Sequence, residues 1–313
     1  MNVAETEAED GGEAVNTVNV VEQVCEFPRA RPIRLGRRTL VMGIVNMTPD
    51  SFSGQNAAGS APAAVDMALA MLGAGADMID MGAESSRPGA AALDWKQETD
   101  RLGDVVARLR EKTDAPISVD TYHPETAAYV LDQGADIIND IAALRGGWGD
   151  DAQSGMAGAV ARAGAVVVLM HMKGAPGVMQ DAPSYDRDVV EEVRGFLAER
   201  AAFARAGGIG AERIWLDPGF GFGKNFDHNR ALLLRLGEIA DVGYPVLVGM
   251  SRKRMIGDAL GRDAGERLEG SLALAVMGAL HGASVVRAHD VLETARAVRM
   301  VDAVRWGIRG CRG

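Results

Sequence analysis

The chain has 313 residues, of which 47% are hydrophobic and 24% charged, a composition that is typical of a globular protein and excludes bulk disorder. Thirty-three Lys and Arg against 43 Asp and Glu give a formal net charge of −10, so no basic excess is available to neutralise a nucleic-acid backbone. The two cysteines lie near opposite ends of the chain and offer neither a disulfide framework nor a cysteine-based zinc site.

The N-terminal part of the chain is acidic. Its first 28 residues include seven Asp or Glu and no Lys or Arg, so the cationic start of a targeting peptide is missing. The longest apolar stretches, such as residues 272–280, are far shorter than the roughly 20 residues that span a bilayer. We therefore expect a cytoplasmic protein with no membrane and no nucleic-acid partner. The composition also predicts a flexible, acidic N-terminal extension at residues 1–35 and one domain at residues 36–313.

From residue 39 onward the chain repeats a unit of helix, Gly-Ala pair and buried strand. The pair precedes an apolar run five times, beginning at positions 75, 134, 164, 210 and 282. A glycine just past a helix takes the left-handed conformation that ends it, and the β-branched run then enters a sheet. Three more runs, at residues 40–45, 117–120 and 246–249, bring the predicted strands to eight. Helices are predicted at residues 61–74, 94–112, 124–133, 186–206 and 290–305.

The order of these elements predicts the fold class. Strands that are apolar on both faces and alternate with helices form parallel sheets. Eight such units favour a closed α/β structure, the single-domain (β/α)8 TIM barrel, over an open doubly wound sheet. No Gly-x-Gly-x-x-Gly follows the first strand, so the dinucleotide-binding alternative lacks its fingerprint.

Every predicted strand ends in a polar side chain. In a (β/α)8 barrel the loops after the strands converge at one face, where the chemistry takes place. The residues in question are Asn46, Asp80 with Glu84, Asp120, Asn139, His171, Asp217, Ser251 with Lys253, and Arg287 with His289. A helix-capping role is an equal alternative for Asp80 and Asn139.

These residues are of two chemical kinds. Donors and acceptors suited to the polar edge of a flat heterocycle are Asp120, Asn139, Asp217 and Lys253. Cations suited to phosphate oxygens are Arg87, Arg252, Arg287 and His289. The predicted ligand is therefore a heterocycle joined to an anion. A surface position for Arg87, a solvated basic run at residues 252–254 and a helix cap at Ser251 remain the alternatives.

Short motifs follow one another in order between residues 41 and 304. They are Asn46-Met-Thr-Pro-Asp-Ser-Phe-Ser53, Glu84-Ser-Ser-Arg-Pro-Gly89, Ser118-Val-Asp120, Ile138-Asn-Asp140, Met170-His-Met-Lys-Gly-Ala-Pro-Gly-Val-Met-Gln180, Asp217-Pro-Gly-Phe-Gly-Phe-Gly-Lys224, Ser251-Arg-Lys253 and Arg287-Ala-His-Asp290. In these motifs the chain resembles the dihydropteroate synthase family of pterin-binding TIM barrels, a target of sulfonamides.

The resemblance implies a transferase of folate biosynthesis. In the family reaction para-aminobenzoate displaces pyrophosphate from 6-hydroxymethyl-7,8-dihydropterin pyrophosphate and gives 7,8-dihydropteroate. Negative charge develops on the leaving pyrophosphate and positive charge on the pterin methylene, so cations are needed at one end of the site. The amine is neutral at pH 7, so no strong general base is required.

The resemblance also assigns residues to roles. Catalytic roles fall on Asn46, Arg87, Asp120, Lys253, Arg287 and His289. The pterin is assigned to Asp120, Asn139, Met170, Asp217, Phe222, Gly249 and Lys253. Pyrophosphate is assigned to Asn46, Ser86, Arg87, Arg287 and His289, with Mg²⁺ bound at Asn46. Para-aminobenzoate is assigned to Phe52, Ser86, Pro88, Phe222, Ser251, Arg252 and Lys253.

The chain departs from the family pattern in its first two loops, at Gly54, Ala83 and Ser86, so the affinities for the amine and for sulfonamides stay open. Two other interpretations are a methyltetrahydrofolate-dependent methyltransferase, which needs no pyrophosphate clamp, and a pterin-binding paralogue without synthase activity. The resemblance further implies a homodimer formed through the last helices. The apolar residues 272–280 fit that interface and an ordinary core helix equally well.

Overall fold

The computed structural model describes residues 21–36, 38–47, 60–84, 92–146, 155–175, 179–180 and 182–310. Two short antiparallel strands, β1 (Gln23–Cys25) and β2 (Ile33–Leu35), come first and pair with each other. They belong to the predicted extension, so residues 21–35 differ from the prediction: this part of the chain is folded. The reason is tertiary packing, since Cys25 of β1 and Ile33 and Leu35 of β2 are buried against apolar side chains of strands that come later in the chain.

Eight further strands form one parallel sheet. They are β3 (Leu40–Asn46), β4 (Met78–Gly82), β5 (Ile117–Asp120), β6 (Ile137–Asp140), β7 (Val166–Met170), β8 (Ile214–Asp217), β9 (Leu247–Val248) and β10 (Val285–Ala288). Their order in the sheet is β8-β7-β6-β5-β4-β3-β10-β9, and a bridge between Leu216 and Val246 joins the two outermost strands. All eight predicted strands are present, and the predicted single-domain TIM barrel is confirmed.

Helices follow the strands around the sheet. They are α1 (Ala61–Gly73), α2 (Trp95–Leu102), α3 (Val105–Arg110), α4 (Pro124–Gln133), α5 (Gly155–Ala163), α6 (Val189–Ala206), α7 (Phe226–Leu234), α8 (Leu236–Ala240), α9 (Arg254–Leu260), α10 (Leu268–Leu280) and α11 (Val291–Gly310). Of the described helices, none is long and apolar enough to cross a membrane.

Glycines set several of the helix ends. Gly134 ends α4 in the left-handed conformation, as the Gly-Ala pattern predicts. Gly210 is different: its φ of −61° is ordinary, and it precedes a short 3₁₀ turn instead of ending a helix. The predicted helix at residues 94–112 is wrong as a single element, because Gly103 takes φ 53° and ψ −129° and separates α2 from α3.

The barrel is sealed at the end where its strands begin. Inward-facing Met42, Met78 and Trp215 form an apolar floor together with residues of the other strands. Phe27 and Leu35, from the segment that contains β1 and β2, cover this floor from outside. Burying each such side chain contributes about 1.5–3 kcal/mol to folding. The opposite end, where the strands finish, is the end at which polar side chains collect.

Candidate active site

Polar side chains from several strands meet at the mouth of the barrel. Alternate residues of a strand face the same side, so Asp80 faces inward like Met78, two positions before it. The pairing of strands places Asp80 beside Ser118 and Asp120 beside Asn139. The structure thereby brings together the predicted residues Asp120, Asn139, Asp217, Lys253 and Arg287.

Arg287 is the centre of this group. Its Nε donates to Oδ2 of Asp80 at 2.6 Å, and its Nη2 donates to Oδ2 of Asp120 at 3.2 Å. Asp80 is fully buried and also accepts hydrogen bonds from the Ser118 hydroxyl and, at 3.3 Å, from the Asn139 amide. The guanidinium, which is one of the cations predicted for the pyrophosphate, therefore contacts Asp120, a residue predicted for the pterin.

The carboxyl group of Asp120 is strongly affected by these neighbours. Burial raises its pKa, Arg287 opposes that rise, and the carboxylates of Asp80, Glu98 and Glu84 add to it, with a resulting pKa of about 7. A like-charged cluster in a poorly solvated mouth favours the neutral form. Asp120 can therefore change its charge near neutral pH.

Asn139 and Asp217 present acceptors to the mouth. The amide nitrogen of Asn139 is bound to Asp80, but its buried Oδ1 has no hydrogen-bond partner in the described part of the chain. Asp217 accepts the N–H of Gly219 at 2.7 Å through Oδ1, and burial raises its pKa while Lys253 opposes the rise. A buried acceptor without a donor costs about 1–3 kcal/mol, so Oδ1 is a natural place for a ligand N–H group.

Lys253 and an apolar wall complete this side of the mouth. Its Nζ donates to the carbonyl oxygen of Phe220 at 2.5 Å and lies 4.5 Å from the centre of the Phe222 ring. Burial lowers the pKa of Lys253 to about 8, against the opposing effect of Asp217. Met170 and Phe222 pack in one small cluster with Tyr122 and other apolar side chains. A side chain at Gly249 would stand 3.9 Å from the Arg287 stem, so this glycine leaves room beside it.

The turn after β9 is tied to the end of β10. Ser251 Oγ accepts the N–H of His289 at 3.3 Å and lies 3.1 Å from its Nδ1. Arg252 takes φ 58°, which is uncommon for a residue with a side chain, and its guanidinium forms an ion pair with Asp290. The predicted role of Arg252 on a substrate carboxylate therefore has to compete with that ion pair.

The remaining predicted residues are Asn46 and residues of the first two loops. Asn46 ends β3 beside Gly82 and is partly exposed. Phe52, Ser86, Arg87 and Pro88 lie outside the described residues, as does Gly54. No group of three or more His, Cys, Asp or Glu that could hold a metal ion occurs within the described ranges.

Sequence reasoning leaves the role of Asp80 open and gives Lys224 no role. Of the two alternatives for Asp80, a helix cap or a polar residue of the mouth, the structure favours the second, because Asp94 caps α2 and Asp80 binds Arg287. The signal was available, because Asp80 stands two residues after the inward-facing Met78. Lys224 is only the last residue of a sequence motif, although it is a buried lysine whose Nζ lies within hydrogen-bond distance of four atoms on His171, Gly219 and Phe222.

Known proteins resemble this chain over most of its length. The sequence pattern of a family described as pterin binding enzyme matches residues 42–289. Dihydropteroate synthase of Escherichia coli strain K12 is 48% identical over 263 residues, which is 84% of this chain and 90% of that protein.

Two solved structures are similar in fold. The Yersinia pestis dihydropteroate synthase with a sulfonamide drug complex has a TM-score of 0.81 at 42% identity and covers 88% of this chain and 98% of its own. The Xanthomonas albilineans enzyme with 4-aminobenzoic acid has a TM-score of 0.79 at 43% identity and covers 90% and 99%.

Proposed function

We propose that three groups of residues at the barrel mouth carry out the reaction. This proposal follows from the family, because the chain belongs to the pterin-binding enzyme family and acts as a dihydropteroate synthase. Para-aminobenzoate displaces pyrophosphate from 6-hydroxymethyl-7,8-dihydropterin pyrophosphate. One group binds the pterin, one neutralises the leaving pyrophosphate, and one holds the amine. The names of the relatives favour this reaction over methyl transfer from methyltetrahydrofolate.

The observation that carries the proposal is Asn139 Oδ1, a buried acceptor near carboxylates for which the described residues supply no donor. A pterin edge presents N–H donors side by side, and Asn139 Oδ1 and the Asp217 carboxylate supply matching acceptors. Asp120 lies next to Asn139 in the sheet and adds a further carboxylate. Met170 and Phe222 supply the apolar faces against which a flat ring packs. Carboxylates at the ring also stabilise the positive charge that develops when the C–O bond breaks.

Arg287 connects this pocket to the leaving group. Its Nε and Nη2 are occupied by Asp80 and Asp120, so its position is fixed before substrate arrives. A fixed cation stabilises developing negative charge without reorganisation cost. His289 stands two residues further on and contacts Ser251, and Asn46 is at the end of β3. Ser86 and Arg87 complete this group in the proposal.

The amine occupies the side of the mouth nearest the β8 and β9 turns. Phe222 provides an aromatic face, with Lys253 Nζ 4.5 Å from its centre, and Ser251 and Arg252 lie in the next turn. Arg252 reaches the amine's carboxylate if it exchanges part of its bond to Asp290. Phe52, Ser86 and Pro88 supply the rest of this side from the first two loops. The reaction needs exclusion of water more than a base, because the aromatic amine already has a free lone pair.

Magnesium enters this proposal bound to the pyrophosphate of the substrate. The described residues include no cluster of three ligating side chains, so the mouth fits an ion held mostly by phosphate oxygens and water, with Asn46 as the protein ligand. Such an ion supplies charge neutralisation for the leaving group. Excess chelator is expected to suppress turnover and to leave binding of pterin without pyrophosphate unchanged. Full turnover in chelator would remove the metal from the proposal.

The proposal includes a homodimer formed through α11. Met300 and Val304 are 63% and 74% exposed, four residues apart on one face of this helix, and Leu280 at the end of α10 is also exposed. The Arg305 guanidinium donates to Ala279 O and holds the two helix ends together. Large apolar side chains clustered on a surface favour association. Sedimentation of Val304→Asp tests this, since a wild-type mass for that variant would exclude this face. A cytoplasmic location without nucleic-acid or membrane partners remains a prediction.

Pyrophosphate release from the two purified substrates tests the function as a whole. Wild-type protein should release pyrophosphate only when both substrates are present. Asn139→Leu, which keeps the size and removes the acceptor, should lose pterin affinity by about 1–3 kcal/mol. Pterin binding without turnover would identify a silent paralogue, and tight binding of methyltetrahydrofolate would favour the methyltransferase.

A further inference from the structure

The turn after β8 is pressed against the segment after β7. A side chain at Gly219 would collide with the carbonyl oxygen of His171, and one at Gly223 would collide with that of Lys173. Both glycines also have positive φ, at 67° and 65°. Only glycine allows this approach of two backbones. The carbonyl oxygens of both segments consequently lie close together in the protein interior.

Lys224 lies inside this junction. It is 2% exposed, and its Nζ is 3.0 Å from the carbonyl oxygens of both Gly219 and Phe222. The same nitrogen is 2.9 Å from Nδ1 of His171 and 3.4 Å from the His171 carbonyl oxygen. Four potential acceptors surround one nitrogen, and three of them are backbone carbonyls. This is the environment of a bound cation, which the protein supplies from its own side chain.

The electrostatics of the junction follow from burial. Burial lowers the pKa of Lys224 well below its usual range, and the Asp217 carboxylate opposes that shift. Burial and the positive charge of Lys224 lower the pKa of His171 well below 6.5, so the imidazole stays neutral and its Nδ1 can accept. An amine with three N–H groups satisfies these acceptors better than one with two, which favours the ammonium form.

A second lysine holds the same turn from the side of the mouth. Lys253 donates to the carbonyl oxygen of Phe220 and lies against the ring of Phe222. The segment from Gly219 to Phe222 is thus bonded to Lys224 on one side and to Lys253 on the other. Lys224 has no contact with the predicted pterin acceptors of β5 and β6 among its hydrogen bonds.

We propose that Lys224 is a positioning residue for the amine half of the site: as a buried internal cation it fixes the Gly219–Phe222 turn and thereby sets the Phe222 ring against Lys253. The inference rests on the proposed role of Phe222 at the amine. It predicts a larger effect on the amine than on the pterin, because the pterin acceptors Asp120 and Asn139 stand on strands that Lys224 does not hold, and of the pterin acceptors only Asp217 is bonded to this turn, through the Gly219 N–H.

The first test is Lys224→Met, which keeps the length of the side chain and removes the hydrogen bonds. We expect the KM for para-aminobenzoate to rise about tenfold, because a displaced Phe222 ring makes a weaker contact with the bound amine. The Kd of the pterin pyrophosphate should rise by a clearly smaller factor, because Asp120 and Asn139 keep their positions and only Asp217 is bonded to the displaced turn. Lys173→Met is the matched control, because Lys173 is in the adjoining segment but is partly exposed and pairs with Glu192. Equal losses for both substrates, or an unchanged amine KM, would overturn the proposal.

A double-mutant cycle tests the route through Phe222. If Lys224 acts by placing that ring, Phe222→Leu and the double variant with Lys224→Met should have the same amine KM. Additive effects would show that Lys224 acts elsewhere. Should Lys224→Met fail to fold, Lys224→Gln takes its place in the cycle, because its amide still donates to two of the carbonyls.

Chemical rescue distinguishes an internal cation from mere packing. Lys224 lines a cavity of about 120 Å³ that Gln180, Asn225 and Asn229 also border, so a small ion can reach the space left in Lys224→Ala. Ammonium or methylammonium should lower the amine KM of this variant, whereas tetramethylammonium at the same ionic strength, which has no N–H, should not. No difference between the ions would contradict the cation role. Wild-type protein without turnover would instead refute the proposed function.

Discussion

The floor and the mouth of the barrel are built by the same strands, from inward-facing residues that are two positions apart. On β4 the inward side chain changes from Met78 to Asp80, on β6 from Ile137 to Asn139, on β8 from Trp215 to Asp217, and on β10 from Val285 to Arg287. The first member of each pair lies in the apolar floor, and the second lies in the polar mouth. A spacing of two residues therefore separates a region that stabilises the fold from a region that carries the chemistry.

The difference shows how the protein tolerates buried charge. In the mouth the charges of Asp80, Asp120 and Arg287 are paired with one another. The pairing is incomplete, because Asn139 Oδ1 has no donor among the described residues and the pKa values of Asp120 and Asp217 are raised by burial. Such groups cost stability unless a ligand completes them. The floor has an apolar lining and is covered by Phe27 and Leu35, so it contributes stability that offsets this cost. Four experiments test this contrast.

The largest effect is expected from Arg287→Met. Removal of the guanidinium leaves the carboxylates of Asp80 and Asp120 without their cation, which should lower the free energy of unfolding at pH 8 by about 3–5 kcal/mol. Loss of a fixed cation at the leaving group should also lower kcat by about 100-fold or more. Denaturant unfolding and pyrophosphate release measure the two effects.

Arg38→Met is the matched control from the region outside the mouth. Arg38 pairs with Asp77 at 2.7 Å, just before β4, and is also partly buried. Its removal should lower stability and leave kcat within about twofold, because fixed charge at the leaving group, rather than a distant ion pair, stabilises the transition state. Equal losses of kcat in the two variants would show that any buried ion pair of the barrel matters to turnover.

The second prediction concerns the floor. Phe27→Ala removes a buried ring that covers it and should lower the free energy of unfolding by about 3 kcal/mol. The kcat of the folded enzyme should not change, since the ring is on the far side of the barrel from the mouth. Val24→Ala, on the same hairpin but 44% exposed, should cost less than about 0.5 kcal/mol. A loss of kcat in Phe27→Ala at temperatures where the variant is folded would show that packing at the floor affects catalysis at the mouth.

The third prediction separates two parts of the mouth. Asp217→Asn can still accept the Gly219 N–H but offers the pterin a donor where it needs an acceptor, so pterin affinity should fall by about 1–3 kcal/mol. Calorimetry should give the same loss with and without pyrophosphate on the ligand. His289→Ala should instead weaken the pyrophosphate-bearing ligand more than plain pterin. The division is contradicted if both variants affect the two ligands alike.

Much of the fold was predictable because its signals are local. Apolar runs after Gly-Ala pairs identify strands, and the alternation with helices identifies a parallel barrel. The hairpin of β1 and β2 was not predictable, because each strand has three residues and its partner surface, the floor, is built by residues far along the chain. The break at Gly103 was also missed, since an isolated glycine is tolerated in many helices.

The members of the site could be predicted better than their partners. Strand ends converge in any such barrel, so Asp120, Asn139 and Asp217 were expected to lie near one another. The choice of Asp80 as partner of Arg287 depends on the sheet order, in which β10 lies beside β3, and on the reach of a long side chain. The four atoms around Lys224 Nζ belong to three residues of two separate segments, and no spacing in the sequence brings them together.

The last predicted effect is a pH dependence with opposite signs for stability and binding. The pKa of Asp120 in the folded protein is about 7, above its ordinary value of 3.8. Between these values the folded state binds the proton more readily than the unfolded state. The free energy of unfolding should therefore decrease as the pH rises from about 4 to 7, by at most about 1.4 kcal/mol per pH unit, and level off above pH 7.

Pterin affinity should change in the other direction. The proposed contact needs the carboxylate of Asp120, so pterin affinity should rise with pH up to about 7 and then level off. Over the same pH range the free energy of unfolding should decrease. Measurements of unfolding and of pterin binding from pH 5 to 8 on wild-type protein and Asp120→Asn isolate this group from Asp140, whose pKa burial raises to about 6. The difference in pterin affinity and in unfolding free energy between wild type and Asp120→Asn should fit the titration of a single group with an apparent pKa near 7. Parallel pH profiles for wild type and variant would assign the titration to another group. If affinity instead fell as the pH rose, Asp120 would bind the pterin in its protonated form, because only the neutral carboxyl group can donate a hydrogen bond to a ring acceptor.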